Sequence, residues 1–209
     1  MKTLNNTKKS PSKSWLIVIA VVGLLVSGTA LADERPSPND FMKERMNRIL
    51  EILAMDTKEK RVEEMDAVVG ALIDYDDLAV RSLGDHWEKR TPEEQEEYKA
   101  LFKELVRLTY VKRLTDRDPK TDYEIEWDRD RVKDDMGYST NFVLYEDTET
   151  ELAFTLKGIV GDTWIVYDLA IDGASVEDTY RRNYGKIIDE EGYPALVQKM
   201  KDKIAELKE

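Results

Sequence analysis

The chain of 209 residues has no cysteine and a single histidine, His86. Without cysteine there is no disulfide, no thiolate nucleophile and no cysteine-ligated metal site. With one histidine, the common routes to an activated nucleophile are mostly closed as well. No stretch matches a G-x-S-x-G elbow, an H-E-x-x-H zinc site, a phosphate-binding glycine loop or a dinucleotide fingerprint. Stability must therefore come from packing, and few groups are left for catalysis.

Long apolar runs are scarce, and the longest lies near the start, from Trp15 to Val26. Lysines precede this run, and Ala30-Leu31-Ala32 follows it with the small residues of a signal peptidase cleavage site. The run is too short to cross a bilayer comfortably, because a spanning helix needs about 20 apolar residues. We predict a secretory signal peptide over residues 1–32, cleaved between Ala32 and Asp33, and one domain over residues 33–209. An uncleaved anchor is the alternative.

Positive charge becomes scarcer once that segment is removed, because cleavage takes away four lysines and no acid. The formal net charge moves from −12 to −16. Such an acidic surface repels the phosphates of nucleic acids and the headgroups of anionic lipids. We therefore expect no nucleic-acid partner and no simple adsorption to a membrane surface.

Helical periodicity marks both ends of the domain. The clearest start signal is Thr91-Pro92-Glu93-Glu94, which combines an N-cap threonine, a first-turn proline and a capping-box glutamate. Ser175 is a second candidate N-cap. The segment before Gly84 is short and apolar, and it is expected to turn at that glycine. The expected helices cover about 42–53, 62–73, 91–114, 175–188 and 196–207.

From Asp122 the apolar period changes from that of a helix to two, which predicts β-strands. Short links, including the turn signal Gly161-Asp162, favour an antiparallel meander whose inward face is covered by helices. The expected fold is α+β, with N-terminal helices, a twisted four-stranded antiparallel sheet and C-terminal helices. The four strands are expected around 123–127, 142–144, 152–156 and 165–171.

Few side chains remain as candidates for chemistry. His86 follows a glycine turn and precedes Trp87, which is typical of a wall residue, although Asp85 could orient it as a general base. The acids between Asp128 and Asp135 are interleaved with basic residues and lack the glycine and glutamate of a calcium loop. We expect a solvated strand face there, no metal site and no catalytic residue.

The junction between the last strand and the next helix carries Asp168, Arg181 and Arg182. The simpler interpretation of these charges is structural, as an ion pair or a helix cap. The more specific interpretation is that one arginine contacts a lipid headgroup. Four tyrosines also suit the mouth of an apolar cavity, because the ring can face inward while the hydroxyl faces water. They are Tyr145, Tyr167, Tyr180 and Tyr184.

Two blocks of residues resemble a known family. The first, LG-x-x-W-x-x-x-T-x-x-x-Q-x-x-Y, comprises Leu83, Gly84, Trp87, Thr91, Gln95 and Tyr98. The second, W-x-V-Y-D-x-x-I-D-G-x-S-V-x-x-x-Y-R, includes Trp164, Tyr167, Asp168, Gly173, Ser175, Tyr180 and Arg181. Together they are similar to the MlaC or toluene-tolerance family of periplasmic phospholipid carriers, over about residues 40–207. The chain departs from the family in its acidity and in Tyr98, where phenylalanine is usual.

The resemblance implies the soluble substrate-binding component of an ABC-type system that moves phospholipid between the outer and inner membranes and maintains outer-membrane lipid asymmetry. The implied partners are phospholipid, an inner-membrane ABC transporter with an MCE-domain subunit, and an outer-membrane lipoprotein complex. The protein is expected to be a periplasmic monomer and not an enzyme. It is expected to need no cofactor, since the phospholipid is cargo.

In that family the acyl chains enter an apolar pocket between the sheet and the helices, while the headgroup stays outside. The resemblance therefore places the lipid site among inward side chains, with Ala174 small enough to let a chain pass close to the backbone. The expected lining residues are Leu78, Leu83, Leu101, Leu105, Leu108, Phe142, Leu144, Phe154, Leu156, Tyr167, Leu169, Ile171, Ala174, Tyr180 and Tyr184.

Three alternatives stay open. The cargo could be a hopanoid, a fatty acid or another hydrophobic solute. The same pocket could serve a small periplasmic enzyme with His86, Asp85 or Asp168 as base. The chain could also be an envelope scaffold whose core is filled.

Overall fold

The computed structural model describes residues 35–116, 123–161 and 163–209. The predicted signal peptide lies outside these residues, so its prediction stands as made. No helix of the described ranges is both long enough and apolar enough to cross a membrane.

The helices are α1 Pro38–Leu53, α2 Lys58–Leu72, α3 Tyr75–Leu83, α4 Pro92–Thr115, α5 Val176–Glu191 and α6 Tyr193–Lys208, with a 3₁₀ helix at Gly84–Lys89. The strands are β1 Glu124–Lys133, β2 Met136–Tyr145, β3 Thr148–Ile159, β4 Thr163–Ile171 and β5 Ala174–Ser175.

Local signals account for where the helices begin. The Thr91 side chain accepts a hydrogen bond from the backbone N–H of Glu94, and the Glu94 carboxylate accepts one from the N–H of Thr91, which completes the predicted capping box. Ser175 caps α5 through the N–H of Asp178, at 3.1 Å. The apolar segment before Gly84 is helix α3, which the sequence analysis did not assign as a helix.

The sheet is antiparallel in the order β1-β2-β3-β4-β5. The α+β prediction is confirmed, but the expected number of four strands is too small by one. The added strand, β5, returns from β4 through a turn at Asp172 and Gly173, whose φ angles are +48° and +78°. Positive φ at both central residues is the type I′ geometry that matches the twist of a hairpin. β5 has only two residues, and so few residues show no periodicity in a sequence.

Cross-strand pairing assigns each strand residue to one of two faces, because paired residues point to the same side. Ser139, Phe154 and Leu169 form one row on one face. We call this side of the sheet the inner face. It carries Ile125, Trp127, Ser139, Asn141, Val143, Leu152, Phe154, Leu156, Leu169 and Ile171.

Helices α1 and α2 cover one end of the inner face. Gly137 of β2 permits the close approach of α1, because a Cβ there would lie 2.9 Å from Pro38 and 3.3 Å from Trp164. The Trp164 indole donates a hydrogen bond to the carbonyl of Pro36 at 2.7 Å, which ties the chain before α1 to β4. The buried members of this contact are Phe41, Met42, Leu72, Phe154, Leu156 and Trp164.

The other helices build a second apolar cluster, in which α3, α4, α5 and α6 pack together. A third, smaller cluster joins α1, α2 and the end of α4. Ile73, which follows α2, packs against all three clusters and forms a β-bridge with Val166 of β4. This residue therefore connects the helical core to the sheet.

Candidate functional site

The inner face is not covered equally along its length. Phe154 and Leu156, under α1, are 8% and 0% exposed. Toward the other end of the strands, four apolar side chains of the same face are only half-buried. They are Ile125, Val143, Leu152 and Ile171, and we call them the open end. Partly open apolar surface that adjoins a core is typical of a binding site for an apolar ligand.

Two tyrosines lie at this same end of the sheet. Tyr123 precedes β1 and Tyr145 is the last residue of β2, and their ring centroids are 5.5 Å apart. The Tyr145 hydroxyl donates to the Glu146 carboxylate at 3.0 Å, so the polar end of this ring is directed to a charged group. Both rings lie at the open end, and the place of Tyr145 at the mouth of a lipid site stays a prediction.

An aromatic cluster holds α4 against α5. Phe102 is fully buried, and its ring centroid lies 5.7 Å from that of Tyr98 and 5.2 Å from that of Tyr180. Tyr184 completes the group, 5.3 Å from Tyr180. These rings pack against one another and against buried side chains of α3 and α6, so they form core between helices.

Tyr98 is where the chain departs from the usual phenylalanine of the family, and its hydroxyl is buried with the ring. The hydroxyls of Tyr98 and Ser82 share a hydrogen bond of 2.7 Å. Ser82 also donates to the carbonyl of Ala79, at 2.7 Å. A buried hydroxyl without a partner would be destabilising, and Ser82 removes that penalty.

Burial raises the pKa of Tyr98, Tyr180 and Tyr184 above the ordinary tyrosine value of 10.0. The folded protein therefore holds these protons more tightly than the unfolded chain does. Their contribution to stability is complete below about pH 10 and is lost as the pH rises through the folded-state pKa values. We expect the free energy of unfolding to fall steeply above pH 10, and to fall less steeply in Tyr184→Phe.

Urea unfolding of both proteins between pH 8 and pH 11.5 measures this difference. The values at pH 8 serve as the control, because the tyrosines are neutral in both states there and any difference reports packing alone. Parallel stability curves for the two proteins across the alkaline range would contradict the assignment.

A polar cleft of about 330 Å³ opens between α3, the 3₁₀ helix, β4 and α5. Arg81 crosses it and donates to the Tyr167 carbonyl at 2.6 Å, while Nη1 lies 3.1 Å from the Glu177 carboxylate. The guanidinium also stacks over the Tyr167 ring, 3.8 Å from its centroid. Both arginines of this cleft are engaged in ion pairs, and the cleft offers little apolar surface to an acyl chain. Its lining residues are Val80, Arg81, Gly84, Trp87, Glu88, Tyr167, Glu177 and Arg181.

His86 packs against α5, away from the open end. A Cβ on Gly185 would lie 3.7 Å from the imidazole Nε2, and that nitrogen is 3.6 Å from the Asp189 carboxylate. The side chain is mostly buried, whereas Asp85 is exposed. This arrangement agrees with the predicted wall role of His86 and gives no support to a His86–Asp85 base.

Asp168 forms part of the start of α5. Its carboxylate accepts hydrogen bonds from the Ser175 hydroxyl, at 2.6 Å, and from the N–H of Glu177, at 3.1 Å. Arg181 pairs with Asp178 and lies 3.7 Å from Glu177, whereas Arg182 is exposed. The geometry agrees with the helix-cap interpretation of Asp168, and headgroup contact by either arginine stays a prediction.

Within the described ranges, no group of three or more histidine, aspartate or glutamate side chains is placed to hold a metal ion. The acids between Asp128 and Asp135 are exposed along β1 and its turn, as expected for a solvated face.

The fifteen predicted pocket residues do not share one surface. Phe154, Leu156, Leu169 and Ile171 lie on the inner face. The larger group lies in the helical cluster, where some members are buried and others half-buried. Its members are Leu78, Leu83, Leu101, Leu105, Leu108, Tyr180 and Tyr184. Which of these residues contact lipid stays a prediction.

Phe142 and Leu144 lie on the opposite face of the sheet from Phe154, so these three side chains do not line one surface of the sheet as expected, and which of them contacts lipid stays a prediction. Phe142 is paired with Glu126 and Glu151, and Leu144 with Glu124 and Glu149. Three consecutive apolar residues occupy 142–144, so the sequence alternation there fits either register. The pairing with β3 decides between them, and places Asn141 and Val143 inward.

Tyr167 and Ala174 are also displaced from the expected pocket. Tyr167 lies at an irregularity of the β3–β4 pairing and lines the polar cleft. Ala174 is exposed in β5, so a larger side chain there would extend into water. Asn141, a buried polar residue among apolar neighbours, was not predicted as a site residue, because nothing in the sequence pattern distinguishes it from other polar strand residues.

Comparison with known proteins agrees with this architecture. The family profile described as "MlaC protein" matches residues 43–202, most of the chain. The chain belongs to the MlaC family. The predicted resemblance is thus confirmed.

Among solved structures, the phospholipid-binding protein from Ralstonia solanacearum, determined in complex with a phospholipid, has the same fold as this MlaC-family chain. The TM-score is 0.69 at 21% sequence identity, and the alignment covers 81% of this chain and 98% of that one. A search of curated protein sequences gives no significant match.

Proposed function

We propose that this protein binds phospholipid, with acyl chains against the inner face of the sheet, and carries it across the periplasm between the two membranes of a Gram-negative envelope. The observation that carries the proposal is the open end, an apolar surface left half-buried in a chain of the MlaC family. The phospholipid complex of the Ralstonia solanacearum protein supports the choice of cargo.

The physical need for a carrier comes from the cost of placing acyl chains in water. Each exposed methylene costs about 0.8 kcal/mol, so a two-chain lipid faces a barrier on the order of tens of kcal/mol. An apolar protein surface makes removal from a bilayer nearly isoenergetic. Loading and unloading then require only a modest difference in affinity, which docking partners can set.

The partners in this proposal are an inner-membrane ABC transporter with an MCE-domain subunit and an outer-membrane lipoprotein complex. The predicted charge of −16 for the chain without residues 1–32 supports docking to protein receptors over adsorption to anionic lipid. In this role the protein is a periplasmic monomer that helps to maintain outer-membrane lipid asymmetry.

We propose a binding role and no enzymatic one. Of the three residues considered as bases, Asp168 is engaged in capping α5, His86 packs against α5, and Asp85 is exposed. An acyl-chain carrier also has no proton to transfer.

Mass spectrometry of organic extracts from the protein purified from a periplasmic fraction tests the proposal. We expect a two-chain phospholipid at a stoichiometry near one per protein. A hopanoid or a fatty acid instead would change the cargo and retain the carrier. An extract without lipid, from protein that also fails to take up phospholipid from vesicles, would contradict the proposal and favour a scaffold.

A further inference from the structure

Asn141 lies in the middle of β2 on the inner face, and it is 0% exposed. Neither its Nδ2 nor its Oδ1 has a hydrogen-bond partner in the part of the chain that the structure describes. A carboxamide has two donor hydrogens and an acceptor oxygen, so the whole hydrogen-bonding capacity of this side chain is unused.

The surroundings of Asn141 are mainly apolar. Across the strands it faces Trp127 of β1 on one side and Leu152 of β3 on the other. Along β2, its neighbours on the same face are Ser139 and Val143. The Ser139 hydroxyl already donates to Oδ1 of Asn39, at 2.7 Å. The amide therefore interrupts an apolar surface at the margin of the open end.

Such a side chain is costly in a folded protein. A buried polar group without a hydrogen bond destabilises the folded state, and leucine, which has nearly the same shape, would avoid this loss. Native proteins contain few such groups, and those that occur usually meet a water or a ligand. Both amide atoms are inaccessible to solvent, so a partner reaches them only when the surrounding groups separate.

The position of Asn141 relative to the sheet edge indicates what that partner is. The residue lies one strand in from the edge strand β1, which corresponds to about 5 Å. Trp127, on β1, lies between Asn141 and the edge, and the Lys43 ammonium lies 5.6 Å from the centroid of the indole ring. A diacyl phospholipid carries its ester carbonyls where the acyl chains end, so chains on the open end can bring a carbonyl to a polar side chain at its margin.

We propose that Asn141 donates a hydrogen bond from Nδ2 to an ester carbonyl that joins an acyl chain to glycerol in the bound lipid. This inference rests on the proposed function and deepens it, because it names the lipid linkage that the site recognises. An ether-linked lipid lacks this carbonyl and offers only the ether oxygen at the linkage, so the amide distinguishes ester-linked lipids from ether-linked ones.

The test compares two phosphatidylglycerols with identical chain lengths, one with two ester linkages and one with two ether linkages. Each lipid is used to displace a fluorescent diacyl lipid from the protein without residues 1–32. We expect the wild type to bind the diester lipid about tenfold more tightly, the effect of one hydrogen bond of about 1.4 kcal/mol. Asn141→Leu is expected to bind both lipids alike, and to be more heat-stable than the wild type without lipid.

Ser139→Ala is the matched control, since it removes a buried hydrogen bond two residues away on the same strand and face. This variant is expected to be less stable and to keep the diester preference. If Asn141→Leu does not fold, Asn141→Val replaces it, because valine suits a strand.

Equal binding of the two lipids by the wild type would overturn the inference, as would a diester preference that persists in the folded Asn141 variant. Failure of the wild type to bind either lipid is a different result, and it would refute the proposed function itself.

Discussion

Replacement of Leu152 by glutamate is expected to reduce lipid co-purification by at least tenfold. Leu152 belongs to the open end of the inner face, and it pairs with Asn141 on one side and Ile171 on the other. A carboxylate there must either stay hydrated, which keeps acyl chains away, or be buried unpaired at a cost of several kcal/mol. Mass spectrometry of extracts, normalised to folded protein, measures the loss.

Ala174→Glu is the matched control for Leu152→Glu, because it introduces the same side chain at an exposed position of the same sheet. This variant is expected to carry lipid as the wild type does. Leu152→Gln, which adds polarity without charge, is expected to lose lipid severalfold, and it serves if the glutamate variant does not fold. Wild-type lipid content in a folded Leu152→Glu protein would contradict the placement of acyl chains on the inner face.

Phe102→Ala is expected to destabilise the protein by about 4 kcal/mol, since removal of a buried phenyl ring leaves a cavity in addition to the lost burial. Phe102 is fully buried, and its ring contacts those of Tyr98, Tyr180 and Tyr184 at centroid distances between 5.2 and 6.3 Å. Chemical denaturation at pH 7 measures the change in the free energy of unfolding.

Phe142→Ala makes the same substitution on the outer side of the sheet, where the ring is half-buried between two glutamates. We expect a loss well below that of Phe102→Ala, because little cavity forms at a partly solvated position. Equal losses in the two variants would show that the Phe142 ring is packed as tightly as the Phe102 ring. The pair thus compares a core position between helices with a half-buried position on the sheet.

Much of the fold could be predicted because its signals are local. The capping box at Thr91 is contained in four residues, and the structure confirms both of its hydrogen bonds. All the α-helices except α3, and the four long strands, follow from periodicity, which each of these segments displays by itself. The family also follows from residues that lie close together in two short blocks, and the match over residues 43–202 confirms it.

Other elements carry too little local information. β5 has two residues and no period, although Asp172-Gly173 is a strong hairpin dipeptide that could have indicated it. α3 has nine residues, too short for its apolar pattern to separate helix from other structure. Position 162 lies outside the described residues, and the turn at Gly161-Asp162 stays a prediction.

The candidate site depends on contacts that no single segment encodes. Phe142 and Asn141 are adjacent in the chain, and only the register with β1 and β3 shows that the phenylalanine points outward and the asparagine inward. The sequence shows that Asp168 and Arg81 are polar, but it does not show their roles. Those roles depend on the packing of α5 beside β4. Periodicity and capping are properties of neighbouring residues, so they can be read along the chain. Orientation toward a partner is a property of residues that lie apart in the sequence and are brought together by folding.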